Sequence, residues 1–154
     1  MQITAGSKAP AFDLPTSGGG RLALDTLRGR KVVLYFYPKD DTEGCTKEAI
    51  DFNHLKSAFA AADTDVIGLS ADDIASHDRF RKKHKLDLTL ASDPAKEIIE
   101  AYGVWVEKQM FGRKYMGIER ATFLIDRDGR IAKIWRKVKV PGHAEEVLAA
   151  AQAL

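Results

Sequence analysis

Residues 31–52 read KVVLYFYPKDDTEGCTKEAIDF, and within this segment a strand pattern gives way to a helix pattern. Residues 31–37 are apolar on both faces and rich in β-branched and aromatic side chains, which is typical of a central strand covered by helices. Pro38 ends the strand. From Glu43 to about Ala62 the apolar residues recur in steps of three and four, which predicts a helix. A buried strand followed directly by a helix indicates an α/β fold.

The rest of the chain continues this alternation of strands and helices. A Gly-rich turn at Gly18 to Gly20 separates two short strands near Phe12 and Leu22, which predicts an N-terminal β-hairpin. Further predicted elements are strands at 65–70, 88–90, 122–126 and 131–135 and helices at 74–84, 95–102 and 143–154. The order indicates a thioredoxin-like fold, with a central mixed β-sheet and helices on both faces. We expect residues 1–154 to form a single domain.

Two segments are predicted from local signals. Asp93-Pro94 opens the helix at 95–102, with proline at an early position where its missing N–H costs little. The segment from Gly103 to Gly117 is the least regular part, because three glycines alternate with aromatic and basic residues. We predict a long loop here, anchored by Trp105, Phe111 and Tyr115. The alternative is that these aromatic side chains line the mouth of a functional site.

Composition excludes several classes of function. The chain of 154 residues has 24 basic and 22 acidic side chains, a balance that argues against nucleic acid or membrane as a partner. The first residues lack the charged and apolar regions of a signal peptide. The single cysteine excludes an intramolecular disulfide and fits a reducing compartment. We therefore expect a cytoplasmic monomer. The four histidines share no metal-ligand spacing, so we expect neither a metal nor another cofactor.

Cys45 is predicted to lie just after the start of a helix. The free N–H groups and the macrodipole at a helix N-terminus favour an anion, so this position stabilises a thiolate. A lone cysteine is more often a small buried hydrophobe, and position alone does not assign catalysis. The neighbouring residues therefore decide between a nucleophile and a core residue.

These neighbours form the pattern Pro38-x-x-x-Thr42-x-x-Cys45. The pattern resembles the active-site signature of the peroxiredoxins, and residues 36–48 resemble their bacterioferritin-comigratory, or peroxiredoxin Q, branch. In this interpretation Pro38 shields the thiolate, and the Thr42 hydroxyl is directed at the sulfur and at a bound peroxide oxygen. Gly44 would let a small substrate approach the backbone closely. The Thr42-x-x-Cys45 spacing lacks the first cysteine of a dithiol oxidoreductase, which argues against that chemistry.

The resemblance extends along nearly the whole chain. Residues 117–126 are similar to the strand on which the family carries its active-site arginine, and Arg120 is the matching residue. A guanidinium beside Cys45 would stabilise the thiolate and orient the peroxide. The chain departs from many relatives at Ile50, a position where they carry a second, resolving cysteine. The resemblance to a two-cysteine mechanism therefore fails, and a one-cysteine cycle remains.

The implied activity is reduction of hydrogen peroxide and organic hydroperoxides through a Cys45 sulfenic acid. An external thiol would then recycle the cysteine, and the resemblance implies thioredoxin, glutaredoxin or glutathione. The rival interpretation is a thioredoxin-fold redox sensor that signals through a mixed disulfide with a partner. Both use Cys45 and Arg120, and the speed of turnover with thiols separates them.

Overall fold

The computed structural model describes residues 3–154; Met1 and Gln2, where the expectation about a signal peptide begins, lie outside them. The strands are β1 Asp13–Pro15, β2 Arg21–Ala23, β3 Lys31–Phe36, β4 Thr64–Ser70, β5 Thr89–Ser92, β6 Trp105–Met110, β7 Arg113–Ile118, β8 Ala121–Ile125 and β9 Ile131–Trp135. The helices are α1 Glu43–His54, α2 Lys56–Ala61, α3 Ile74–His84, α4 Glu97–Ala101 and α5 His143–Ala153. Between residues 3 and 154, no helix has the length and apolar character needed to cross a bilayer.

The central sheet has five strands in the order β5-β4-β3-β8-β9. Strand β3 lies in the middle, parallel to β4 and antiparallel to β8, with Leu34 opposite Ile67 on one side and Phe123 on the other. All six residues of β3 are buried, as the doubly apolar pattern predicts. The predictions of a mixed sheet and of an N-terminal hairpin, formed by β1 and β2, are confirmed.

Side chains of β3 alternate between two hydrophobic cores, one on each face of the sheet. Val33 and Tyr35 belong to a core that includes residues from α1, α2, α3 and α5. Leu34 and Phe36 belong to the other core, which includes residues from α4 and from the N-terminal segment. Helices therefore cover both faces, although four of the five lie on the same side.

The helix predicted from Glu43 to Ala62 is two helices in the structure. Leu55 separates α1 from α2, and its N–H donates to the Phe52 carbonyl three residues earlier at 3.1 Å. Such a tightened last turn ends a helix without breaking its apolar face, so the periodicity continues across the break. The sequence pattern could not show this interruption.

Helix α4 begins later than predicted. Pro94 lies in the turn ahead of it, and Lys96 precedes the helix with a left-handed φ of 64°. The Asp93 carboxylate accepts hydrogen bonds from the backbone N–H groups of Ile98 and Ile99, both at 2.9 Å. Asp93 rather than Pro94 therefore defines the start of the helix.

The prediction of a long loop from Gly103 to Gly117 is wrong. Strands β6 and β7 form a two-stranded antiparallel sheet through this segment. Phe111 and Gly112 turn the chain with φ values of 52° and 76°, the left-handed pair of a two-residue hairpin. Phe111 is 97% exposed, so it does not anchor the segment. The hairpin was missed because Phe-Gly lacks the usual Asn-Gly or Asp-Gly turn signal.

Candidate active site

The turn between β3 and α1 places Cys45 in the first turn of a helix. Thr42 is the N-cap, and its carbonyl accepts the N–H of Thr46 at 2.8 Å. The N–H groups of residues 43–45 lie ahead of that bond and have no acceptor within the helix. The Cys45 side chain belongs to the core around β3 and is 1% exposed. The sulfur is therefore recessed at the positive end of the helix dipole.

Arg120 lies beside this sulfur. It connects β7 to β8, and the pairing of Ala121 with Phe36 brings it next to the end of β3. The Nη2 of Arg120 donates to the Cys45 Sγ at 3.4 Å. The structure therefore brings together the two residues that the sequence indicated. The guanidinium is a permanent positive charge, and it lies within hydrogen-bond distance of the sulfur.

Gly44 lies against the side chain of Arg120. A Cβ at this residue would lie 3.1 Å from Nη2 of Arg120. A side chain larger than glycine would therefore require the guanidinium to shift by a few tenths of an ångström. The guanidinium thus occupies part of the space that we expected to serve a substrate.

Thr42 and Pro38 flank the same turn. The Thr42 hydroxyl donates to the backbone carbonyl of Lys39 at 3.0 Å, so its hydrogen is directed at the turn and not at the sulfur of Cys45. In the observed rotamer this hydrogen is therefore not available to the sulfur. Pro38 is half-buried, next to the fully buried Tyr37.

Glu48 is a site residue that sequence reasoning missed. Its Oε1 accepts from Nη1 of Arg120 at 2.7 Å, and its side chain is 2% exposed. Burial raises the pKa of Glu48 to about 7, although the charge of Arg120 opposes this shift. Glu48 follows Cys45 by three residues on α1, so both side chains lie on one helix face. That spacing was the available signal.

Lys108 is the second residue that was missed. It lies on β6 and is half-buried. Burial and the positive charge of Arg120 lower the pKa of Lys108, while the charges of Cys45 and Glu119 oppose this. A Cβ at Gly117 would lie 3.2 Å from the Lys108 side chain, so the glycine leaves room for it. Lys108 could not be found from the sequence, because its position depends on the unpredicted β6–β7 hairpin.

The structure combines a thioredoxin-like sheet, a recessed thiol at a helix start and an arginine hydrogen-bonded to its sulfur. This combination defines the class of thiol-dependent peroxidases. The chain belongs to the AhpC/TSA family, whose model matches residues 5–134. It is 53% identical over 148 residues to the putative peroxiredoxin bcp of Coxiella burnetii, covering 96% of this chain and 98% of that protein. It is 47% identical over 148 residues to peroxiredoxin Bcp of Bacillus subtilis, with 96% and 94% covered.

The solved structures agree with this assignment. The bacterioferritin comigratory protein of Xanthomonas campestris, studied for alkyl peroxide reduction in trapped intermediate and ligand complexes, superposes with a TM-score of 0.91. It is 42% identical, and the match covers 97% of this chain and 98% of that one. The predicted thioredoxin-like fold, the resemblance to the peroxiredoxin Q branch and the peroxidase class are confirmed. With one cysteine in the chain, it is a one-cysteine member.

Proposed function

We propose that this peroxiredoxin reduces hydrogen peroxide and organic hydroperoxides with Cys45 as the nucleophile. The observation that carries the proposal is the 3.4 Å contact between Arg120 Nη2 and the Cys45 Sγ. A guanidinium and a helix N-terminus both stabilise negative charge on the sulfur, and this is the environment in which a cysteine acts as a nucleophile. The alkyl peroxide reduction of the Xanthomonas campestris protein supports organic hydroperoxides as substrates.

The first stage is a two-electron oxidation of sulfur. The Cys45 thiolate attacks the terminal OH oxygen of the peroxide, the O–O bond breaks, and the leaving oxygen takes up a proton from solvent and departs as water or alcohol. The sulfur keeps the other oxygen as a sulfenic acid. Arg120 and the N–H groups of the first helical turn stabilise the charge as it moves from sulfur to oxygen.

Thr42 and Pro38 complete the proposed site. While its hydrogen is bonded to Lys39, the Thr42 hydroxyl keeps its lone pairs free to accept from the hydroperoxide O–H. Pro38 limits solvent at the sulfur from the other side of the turn. These roles are the ones that the family resemblance implies for the two residues of the loop that leads to Cys45.

The second stage needs thiols from outside the chain. One thiol condenses with the sulfenic acid, forms a mixed disulfide and releases water; a second thiol displaces Cys45 as a thiolate and leaves as the disulfide of the two donors. We propose thioredoxin, glutaredoxin or glutathione as the donor, acting on a single-domain monomer in the cytoplasm.

A steady-state assay tests the proposal. Peroxide consumption is followed with hydrogen peroxide and with an alkyl hydroperoxide, each with a panel of the three thiol donors, and the Cys45→Ser protein is the control. We expect turnover with at least one donor and none in the control. Fast oxidation of Cys45 with no donor giving turnover would instead support the redox sensor.

A further inference from the structure

A buried cluster ties the loop before Cys45 to helix α3. Asp40 lies at its centre and accepts three hydrogen bonds. The Tyr37 hydroxyl donates to Oδ1 at 2.6 Å, and the Ser76 hydroxyl donates to Oδ2 at 2.8 Å. Nδ1 of His77 lies 2.7 Å from the same Oδ2. Asp40 lies five residues before Cys45, so this cluster fixes the turn that leads into the active site.

His77 must carry a positive charge to satisfy these contacts. Its other nitrogen, Nε2, lies 2.9 Å from the Ala91 carbonyl, and the side chain is fully buried. A neutral imidazole has one N–H, but both ring nitrogens face acceptors here. Because Tyr37 and Ser76 already donate to Asp40, the proton between the pair belongs to His77. The pair is therefore a buried imidazolium–carboxylate ion pair.

The pKa of His77 agrees with this geometry. Burial lowers the pKa, but the hydrogen bond and charge of Asp40, the Ala91 carbonyl and the charge of Asp72 outweigh it and raise the pKa above its ordinary value. Asp40, Asp72 and Tyr37 are the titratable groups that face the ring. Possible ligand atoms of Asp40, Asp72 and His77 lie within 4.8 Å of one another. Since hydrogen bonds occupy both ring nitrogens, we interpret the cluster as an ion pair rather than as a metal centre.

The closed loop presents an access problem for the second stage of the reaction. Cys45 is 1% exposed, and a peptide or protein thiol is far larger than hydrogen peroxide. The loop and the first turn of α1 must therefore move before such a thiol can reach the sulfur. Other contacts also hold the loop. The backbone N–H of Asp40 donates to Oδ2 of Asp72 at 2.8 Å. Asp41 pairs with Lys83 at 2.7 Å and with His84 at 2.8 Å, but these two pairs are partly exposed to solvent. Exposed pairs contribute little, whereas breaking a buried pair is costly.

We propose that the His77–Asp40 ion pair is a latch on residues 38–42, which when closed keeps Cys45 recessed for peroxide and when open admits the external thiol. This inference rests on the proposed function for the need of an external thiol. Deprotonation of His77 removes one N–H and the charge of the pair. The latch is therefore closed at low pH and loosens as the pH rises through the raised pKa of His77.

The test compares two maleimides of different size on the reduced protein. N-ethylmaleimide and fluorescein maleimide both react with the thiolate, so the ratio of their rates cancels any change in ionisation of Cys45. In the unsubstituted protein we expect the relative rate of the large reagent to rise with pH. His77→Gln should raise the rate of fluorescein maleimide relative to N-ethylmaleimide on the order of tenfold or more at low pH, and this ratio should no longer depend on pH. His84→Gln, on the same helix and tied to the same loop, is the matched control and should change it by less than about twofold.

Each outcome decides the proposal. An unchanged rate ratio in His77→Gln, or a flat pH profile in the unsubstituted protein, overturns the latch. If His77→Gln does not fold, Tyr37→Phe removes one donor to Asp40 and should raise the ratio by about two- to fivefold, and no change there overturns the latch as well. The measurement uses no peroxide, so it stands even where the peroxidase assay fails.

Discussion

Nη2 of Arg120 lies 3.4 Å from the sulfur of Cys45, although 75 residues separate them in the chain. The antiparallel pairing of β3 with β8 brings them together, because Cys45 follows β3 and Arg120 precedes β8. Glu48 then fixes the guanidinium from the helix that carries the cysteine. The site thus lies where two neighbouring strands of the central sheet meet at one end, and the position of Arg120 can be tested through the sulfur.

The first prediction concerns the nucleophile. Cys45→Ser should lose peroxidase activity, because serine has a similar shape but is a poor nucleophile without a general base. Circular dichroism should show the fold unchanged, since the replacement is nearly isosteric. Peroxide consumption above a few per cent of the original rate, with contaminating enzymes excluded, would contradict the assignment.

The second prediction concerns Arg120. Arg120→Met should slow the single-turnover oxidation of Cys45 by peroxide by roughly 10²–10³-fold, because a fixed donor to the reacting charge is lost. The rate of Cys45 oxidation in Arg120→Lys should lie between those of Arg120→Met and the original protein, since lysine keeps the charge but lacks the forked donors. Arg113→Met, an exposed arginine on β7, serves as the control for a lost positive charge. Equal rates of Cys45 oxidation in Arg120→Met and in the original protein would show that the guanidinium does not act on the sulfur.

The third prediction separates two roles of Thr42. Thr42→Ser keeps the hydroxyl, which donates to Lys39 in the structure and can accept from a hydroperoxide. It should retain most of the activity. Thr42→Val has the same shape without the hydroxyl, so its rate of Cys45 oxidation should drop by about tenfold or more. Single-turnover oxidation measures this step alone, and equal rates for valine and threonine would remove Thr42 from the site.

The fourth prediction uses the titration of Glu48. Its pKa is raised from 4.5 to about 7, chiefly by burial, so the folded state binds a proton that the unfolded chain has already lost. The stabilisation from this group is complete below the unfolded pKa and is lost as the pH rises through about 7. It amounts to about 3 kcal/mol at most.

Urea unfolding from about pH 5 to about pH 8 measures this contribution. In Glu48→Gln the free energy of unfolding should fall less steeply with pH than in the original protein. Glu43→Gln, an exposed carboxylate on the same helix, should leave the slope unchanged. Equal slopes for Glu48→Gln and the original protein would mean that Glu48 stays ionised in the folded state.

Much of the fold and the main contact of the site could be predicted from the sequence. The doubly apolar strand β3 and the Pro38, Thr42 and Cys45 pattern were sufficient to place a thiol at a helix start. The partnership of Arg120 with Cys45 came from a family resemblance, since no local pattern links residues so far apart. Glu48 was within reach, because its spacing from Cys45 puts both on one face of α1.

Other features depend on contacts between distant residues, which no local sequence pattern predicts. The β6–β7 hairpin was missed because its strands pair only with each other and its turn has an uncommon sequence. Lys108 approaches the site only through that hairpin. His77 looked like one of several scattered histidines, and its ion pair with Asp40 exists because α3 packs beside the turn after β3. Side-chain pairs between distant elements need the tertiary fold before they can be seen.

The last prediction concerns how oxidised Cys45 is resolved. The chain has no second cysteine, and Ile50 occupies the position where the resemblance would place one. The sulfenic acid must therefore wait for an external thiol. One equivalent of peroxide without reductant should add the mass of oxygen to the monomer, and dimedone should label Cys45 stoichiometrically. Excess peroxide should then give sulfinic and sulfonic acids, because nothing internal competes with further oxidation.

Ile50→Cys provides the matched comparison for this cycle. Ile50 is 40% exposed on α1, the helix that carries Cys45, so the introduced thiol can meet the oxidised sulfur once the first turns open. This variant should lose two hydrogens instead of gaining oxygen, resist overoxidation and label poorly with dimedone. In the original protein the main competing product is a disulfide between two Cys45 residues of separate chains. A sulfur that is 1% exposed meets its counterpart slowly, so non-reducing electrophoresis should show little dimer. A rapidly formed Cys45–Cys45 dimer that thiols reduce at catalytic rates would replace this account of resolution while leaving the peroxidase chemistry intact.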